Sequence, residues 1–147
     1  MRFIGDYTAK TDAKGRVFLP VAFRKVLEAA GESRMVLRTD LFQPCLVLYP
    51  ESVWNATIDD LKLKLSPYKR EHQNVLRQYV ADAEPIELDN SGRILITKRK
   101  LEFAGITSDV RFLALDERIE VWNKEALEKL IEEESSGLGD TLEALLG

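Results

Sequence analysis

Cysteine and histidine are almost absent from this sequence, and so are long apolar runs. One cysteine in 147 residues allows no internal disulfide, which excludes a small secreted domain held by disulfides and makes a cytoplasmic protein the default. That cysteine and the single histidine, His72, cannot make a structural zinc site without several carboxylates, so no metal is expected. The longest unbroken apolar run is Cys45 to Tyr49, too short to span a bilayer or to form the apolar region of a signal peptide. One histidine also leaves no Ser/His/Asp or Cys/His pairing, since His72 and Cys45 fall in different elements. There is no P-loop and no dinucleotide fingerprint. The paired carboxylates Asp59 and Asp60 lie on a helix without a matching partner. Catalysis, a cofactor and a small-molecule substrate are therefore not expected.

What the chain does have is 45% hydrophobic and 31% charged residues, enough for one good core or two small cooperating ones. Its net charge is −4, but unevenly spread. Residues 1–76 carry 12 Lys+Arg against 9 Asp+Glu, a net of +3, and residues 77–147 carry 9 against 16, a net of −7. Such a chain is no general polyanion binder. Any nucleic-acid contact needs a local basic surface, and the first half is the place to look for it.

The chain repeats itself. Asp12-Ala-Lys-Gly-Arg16 precedes Val17-Phe-Leu-Pro20, and 77 residues later Asp89-Asn-Ser-Gly-Arg93 precedes Ile94-Leu-Ile-Thr97. A short helical pattern follows each, closing at Gly31 and at Gly105. Two apolar strand-like runs come next, Met35–Arg38 and Cys45–Tyr49 in the first copy, Val110–Leu115 and Ile119–Trp122 in the second. In each copy the aspartate can accept hydrogen bonds from the amides that follow it, and Gly15 and Gly92 stand where a tight turn needs positive φ. A strand over Phe3–Thr11 is expected to turn there and resume at Arg16 as a hairpin. Two such units on one chain can close a shared core as a fused pseudo-dimer.

Between the copies, Trp54, Ile58, Leu61 and Leu65 recur at helical spacing, as do His72, Val75, Leu76, Tyr79, Val80 and Ala83. Ser66-Pro67 separates them, so a helical hairpin is expected. Another helix is expected near Lys124–Glu134, followed by a mobile tail over 135–147. Tyr49, Trp54, Tyr79 and Trp122 read as packing anchors, Cys45 as a core residue and His72 as a buried or half-buried structural residue.

These residues carry a resemblance. Asp12-x-x-Gly-Arg16, Pro20 with Arg24, Cys45-Leu-Val-Leu-Tyr-Pro50 with Trp54, Asp89-x-x-Gly-Arg93-Ile-Leu-Ile and Glu120-Val-Trp122 together resemble the MraZ family, a tandem branch of the AbrB/SpoVT-like swapped-hairpin fold. The resemblance runs from about residue 3 to residue 127. It implies an α+β fold of two tandem AbrB/SpoVT-like β-α-β units closing one pseudo-symmetric, barrel-like core. The units would span 5–52 and 82–125, with a helical insert at 53–81 and a C-terminal helix and tail at 126–147. It also implies a cytoplasmic, nucleoid-associated regulator of transcription that binds double-stranded DNA. Such a protein forms a homo-oligomeric ring, an octamer among the forms, on repeated boxes upstream of a division and cell-wall gene cluster. The chain departs from the family pattern at Thr97, where proline is usual, and at Gln73-Asn74, where arginines are frequent. It also lacks, in the second turn, a counterpart of Lys14.

The candidate DNA-binding residues are Asp12, Lys14, Gly15 and Arg16, with Lys10 close by, and the second-copy motif is Asp89, Gly92 and Arg93. Lysine would meet phosphate as a point charge, and arginine could pair bidentately with phosphate or a guanine edge. Arg16 could also simply pair with Asp12, and both can hold together. Arg93, in the acidic half, is expected to serve structure more than DNA. Lys98-Arg99-Lys100 opposes a helix dipole, which can mark a site for an anionic partner or be compensated by Asp89 or by a neighbouring subunit's acidic patch, the last being favoured. The competing function is an oligomeric scaffold without specific DNA binding.

Overall fold

A computed structural model describes residues 1–147. The elements are β1 (Asp6–Lys10), β2 (Arg16–Phe18), α1 (Val21–Ala29), β3 (Arg34–Thr39), β4 (Leu46–Pro50), α2 (Glu51–Lys64), α3 (Arg70–Ala81), β5 (Glu84–Glu87), β6 (Arg93–Leu95), α4 (Lys98–Phe103), β7 (Asp109–Leu115), β8 (Arg118–Asn123) and α5 (Lys124–Glu134), then a 3₁₀ turn (Ser135–Gly137) and α6 (Leu138–Leu146). No helix is long and apolar enough to cross a membrane.

The fold is α+β, with antiparallel strands throughout. Six strands pair in the order β1-β7-β8-β4-β3-β5, and β2 pairs with β6 in a separate two-stranded ribbon. The six-stranded order reads the same when β1 to β4 are exchanged for β5 to β8, which is the symmetry expected of two copies. The simple hairpin expected across the first turn does not form. β1 pairs with β7, from Asp6↔Leu113 to Lys10↔Asp109, and β2 pairs with β6, from Arg16↔Leu95 to Phe18↔Arg93. The strands flanking each turn thus go to partners in the other copy. A three-residue β2 buries only Val17, too little to hold a hairpin alone. Pairing it with β6 places Val17 and Ile94 together in a common core. β1 itself begins at Asp6, and Phe3 is held apart from it by a bridge to Asp116.

One core serves both copies. Met35 and Leu37, Leu46 and Leu48, Val110 and Phe112, and Ile119 and Val121 alternate along their strands and meet Phe23, Leu27, Ile96 and Ile106. The other sheet face is covered by helices. Trp54 of α2 lies 5.5 Å from the Tyr49 ring and stacks on Tyr79 of α3 at 5.5 Å, and the Arg38 guanidinium sits 4.4 Å over Tyr79. Cys45, Trp122 and Leu127 form a second, smaller cluster under α5. The aromatic residues are thus packing anchors, as expected. His72 is half-buried, and its Nδ1 accepts the Ser66 N–H at 2.9 Å, closing the turn between α2 and α3. Val75 and Val80, expected on the packed stripe of α3, are exposed.

The cations that open α4 are compensated inside the chain. Lys100 is fully buried, with Nζ donating to Glu84 Oε1 at 2.7 Å and to the Asp82 carbonyl at 2.9 Å, and Arg99 reaches Asp82 at 3.1 Å. A neighbouring subunit is not needed for either. Asp82 also accepts from Thr39 N at 2.6 Å and Thr39 Oγ1 at 2.5 Å. Burial alone would raise its pKa, but these donors and the Lys100 charge win and hold it at about 2. Residues 135–147, expected as a mobile tail, form the 3₁₀ turn and α6, with no side chain buried.

Candidate nucleic-acid interface

Each repeat motif folds into the same turn. Asp12 Oδ1 accepts the amides of Lys14 and Arg16, each at 2.9 Å, and Gly15 N–H closes onto the Asp12 carbonyl at 3.1 Å. In the second copy Asp89 Oδ1 accepts from Ser91 and Arg93 at 2.9 Å, and Gly92 N–H donates to the Asp89 carbonyl at 3.0 Å. Gly15 and Gly92 take φ of +87° and +86°. The carboxylates also hold the arginines. Arg16 Nε donates to Asp12 Oδ2 at 2.6 Å and Arg93 Nε to Asp89 Oδ2 at 2.9 Å. Chiefly through the arginine's own amide, both aspartates are held below the usual carboxylate range, so both turns stay charged at neutral pH.

The ribbon brings the two turns together. Gly15 O accepts the Ile96 N–H at 2.9 Å and Gly92 O accepts the Leu19 N–H at 3.0 Å, so each turn is clamped by the other copy. Along three-residue strands only the middle side chains, Val17 and Ile94, point inward, both 1% exposed. The flanking ones, Arg16 and Phe18 on β2 and Arg93 and Leu95 on β6, share the outer face. Arg93 lies over the Phe18 ring at 5.8 Å. Both arginines engage their aspartates through Nε, leaving the Nη groups without a hydrogen-bond partner in the chain. The two arginines share one face and one mode of pairing, although Arg93 is the less exposed, at 27% against 37%, and it alone packs on an aromatic ring.

The other expected residues lie around this face. Lys14 is exposed at the tip of the first turn, where the second turn has Ser91. Lys10 ends β1, well exposed, 3.9 Å from Asp109. Phe18 and Leu95 were not among the expected site residues. Period-two alternation around Val17 and Ile94, combined with the 77-residue offset, points to both.

A second cluster lies elsewhere. Ligand atoms of Asp40, Cys45 and Glu120 come within 4.8 Å of one another. Burial pushes the Cys45 thiol pKa up, and Glu120 already accepts Trp122 Nε1–H at 2.9 Å, so the group is a hydrogen-bonded part of the packing under α5.

Compared with known proteins, the chain matches one family model twice, over residues 2–77 and 80–146, under the description "MraZ protein, putative antitoxin-like". This chain belongs to the MraZ family. The two matched MraZ segments meet within α3, and each contributes one turn to the ribbon. Among MraZ relatives, one from Bacteroides fragilis is 49% identical over 146 residues, covering 99% of this chain and 92% of that protein. Another, from Phocaeicola vulgatus, is 54% identical over 129 residues, covering 88% of this chain and 84% of that protein. A third, from Flavobacterium psychrophilum, is 32% identical over 144 residues, covering 98% and 91%. All three carry the name transcriptional regulator MraZ.

Proposed function

We propose that this MraZ-family protein is a sequence-specific, DNA-binding regulator of transcription. It acts as a ring-shaped homo-oligomer at the nucleoid, on repeated boxes upstream of a division and cell-wall gene cluster. The naming of its relatives supports the regulatory role. The observation that carries the reading is that both Asp-x-x-Gly-Arg turns meet on one ribbon, with Arg16 and Arg93 on its outer face. B-DNA's major groove, about 12 Å wide, admits a two-stranded ribbon. Arginines pre-aimed by Asp12 and Asp89 can pair with guanine edges or phosphates, while Lys14 meets phosphate. We read the fold as two interlocked AbrB/SpoVT-like units, which supports this use of the ribbon.

Oligomerisation follows from arithmetic. Two arginines and one or two lysines make about three to four phosphate contacts, too few for tight binding at cellular salt. Several ribbons on one ring face would raise the number, because linked sites act at high effective concentration. The +3 and −7 halves favour head-to-tail contact, which closes into a ring when the rotation permits. Leu63 and Tyr68 at the tip of the helical hairpin and Leu138, Leu145 and Leu146 on α6 are exposed and supply apolar surface for such contacts. Genomic footprinting in the protein's own cells tests the reading. A peak upstream of its own operon is expected, and no enrichment anywhere on the genome would refute it.

A further inference from the structure

Phe18 and Leu95 hold the same position in the two copies, 77 residues apart. They are 53% and 54% exposed on the outer face of the β2–β6 ribbon, while the inward positions already have the apolar side chains that the core needs. A solvated sheet face normally alternates to polar residues. Here it does not. In register, Leu95 lies across from Arg16 and Phe18 across from Arg93. The face is a square with two arginines on one diagonal and two apolar side chains on the other.

Two occupants could cover it. A second ribbon packed face to face would cover the apolar pair, but it would set the Nη groups of Arg16 and Arg93 against their own counterparts, whose aspartates are already engaged, and offer them no new acceptor. The major-groove edge of DNA suits both diagonals. Its guanine edges and phosphates accept from arginine, and thymine alone among the four bases presents an apolar group there, the C5-methyl. Diagonal neighbours on an antiparallel pair are roughly 7–8 Å apart. That matches about two base-pair steps of 3.4 Å.

We infer that Phe18 and Leu95 are specificity-determining residues that read thymine methyl groups at two positions about two base pairs apart. The inference rests on the DNA-binding reading above and adds which base the apolar side chains select.

The probe is the duplex that the full-length protein selects from a randomised pool, remade with uracil replacing one thymine at a time. Uracil keeps every hydrogen-bonding group and loses only the methyl. Replacement at two positions is expected to weaken binding about fourfold each, the worth of one buried methyl. Phe18→Ala should then bind thymine and uracil duplexes alike at one of these positions and Leu95→Ala at the other, with the salt dependence unchanged. Because both side chains are half exposed, the melting temperatures of the two variants should stay close to the parent's. The uracil series on the unaltered protein needs no variant to fold. If the protein selects a duplex and uracil is neutral at every position, the inference fails and the DNA-binding reading stands. If the variants change the oligomer mass while thymine preference persists, the pair is a subunit contact and the inference is overturned. If no duplex is selected, both fail together.

Discussion

Alanine at Gly15 and at Gly92 should not cost the same, although the two turns look alike. Both glycines sit at φ near +87°, where a β-carbon costs about 1–2 kcal/mol. The difference lies in what that carbon meets. At Gly15 it would stand 2.3 Å from the Ile96 carbonyl oxygen, part of the backbone joining β6 to α4. Ile96 is fully buried, and its N–H is bonded to Gly15 O, so that backbone cannot give way without breaking the clamp. Overpacking of about 1–3 kcal/mol and a lost hydrogen bond of about 1 kcal/mol add to the strain, for roughly 3–6 kcal/mol in all. At Gly92 the carbon would stand 2.3 Å from Arg24 Nη1, the end of a flexible side chain. Arg24 can swing aside, giving up its Nε–H bond to the Leu19 carbonyl, so the total is roughly 2–3 kcal/mol. The gap of about 2 kcal/mol corresponds to roughly 4–8 °C in melting temperature for a chain of this size. Urea unfolding followed by Trp54 and Trp122 fluorescence measures it, at fixed protein concentration because self-association shifts the midpoint. Equal losses, or a larger loss at Gly92, would refute the account of how the two copies interlock.

Other outcomes follow from the same contacts. Asp82, held at about pH 2 against 3.8 for a free side chain, adds stability that is complete above about pH 5 and lost as pH falls toward 2. Asp82→Asn should therefore unfold about 2 kcal/mol more easily at pH 7, with a smaller deficit at pH 3, as read by urea titration at the two pH values. Lys100→Ala leaves Asp82 and Glu84 without their buried cation and should cost about 3 kcal/mol in the same assay. For assembly, a duplex with three boxes at near helical-turn spacing should bind far more tightly than one box, and inserting five base pairs between boxes should remove most of that gain in a gel-shift titration.

The repeat, the two turns and the helical hairpin were legible because each is local. Asp12 and Gly15 are a turn instruction complete within five residues, and the Trp54–Leu65 stripe needs only its own period. Strand pairing was not legible in the same way. β2 and β6 are three residues long, and Arg16-Val-Phe does not encode whether its partner is β1, six residues back, or β6, 77 residues on. Only the need to bury Val17 and Ile94 together decides it. Lys100 misled for a related reason. In sequence it is one of three cations at a helix start, but its partners Asp82 and Glu84 arrive from the end of the insert and from β5, 16 to 18 residues earlier. At the candidate site the arginines were legible from the motif. The apolar pair beside them was half legible: alternation puts Phe18 and Leu95 opposite the core-facing Val17 and Ile94, but only the β2–β6 pairing brings the two onto one shared face.

The most direct test of the central claim, that one ribbon presents Arg16 and Arg93 together to DNA, is a binding titration over a salt series. It compares the unaltered protein, each single alanine variant and the double variant on the same multi-box duplex. The account predicts that the unaltered protein loses about 10³–10⁵ in affinity between 50 and 200 mM salt, as 6–10 phosphate contacts require. Arg16→Ala and Arg93→Ala should each lose a comparable amount, about 1–3 kcal/mol per contacting ribbon, while remaining folded because exposed ion pairs contribute little to stability. A double variant that binds with the parent's affinity and salt slope would contradict the claim, and the scaffold reading would take its place.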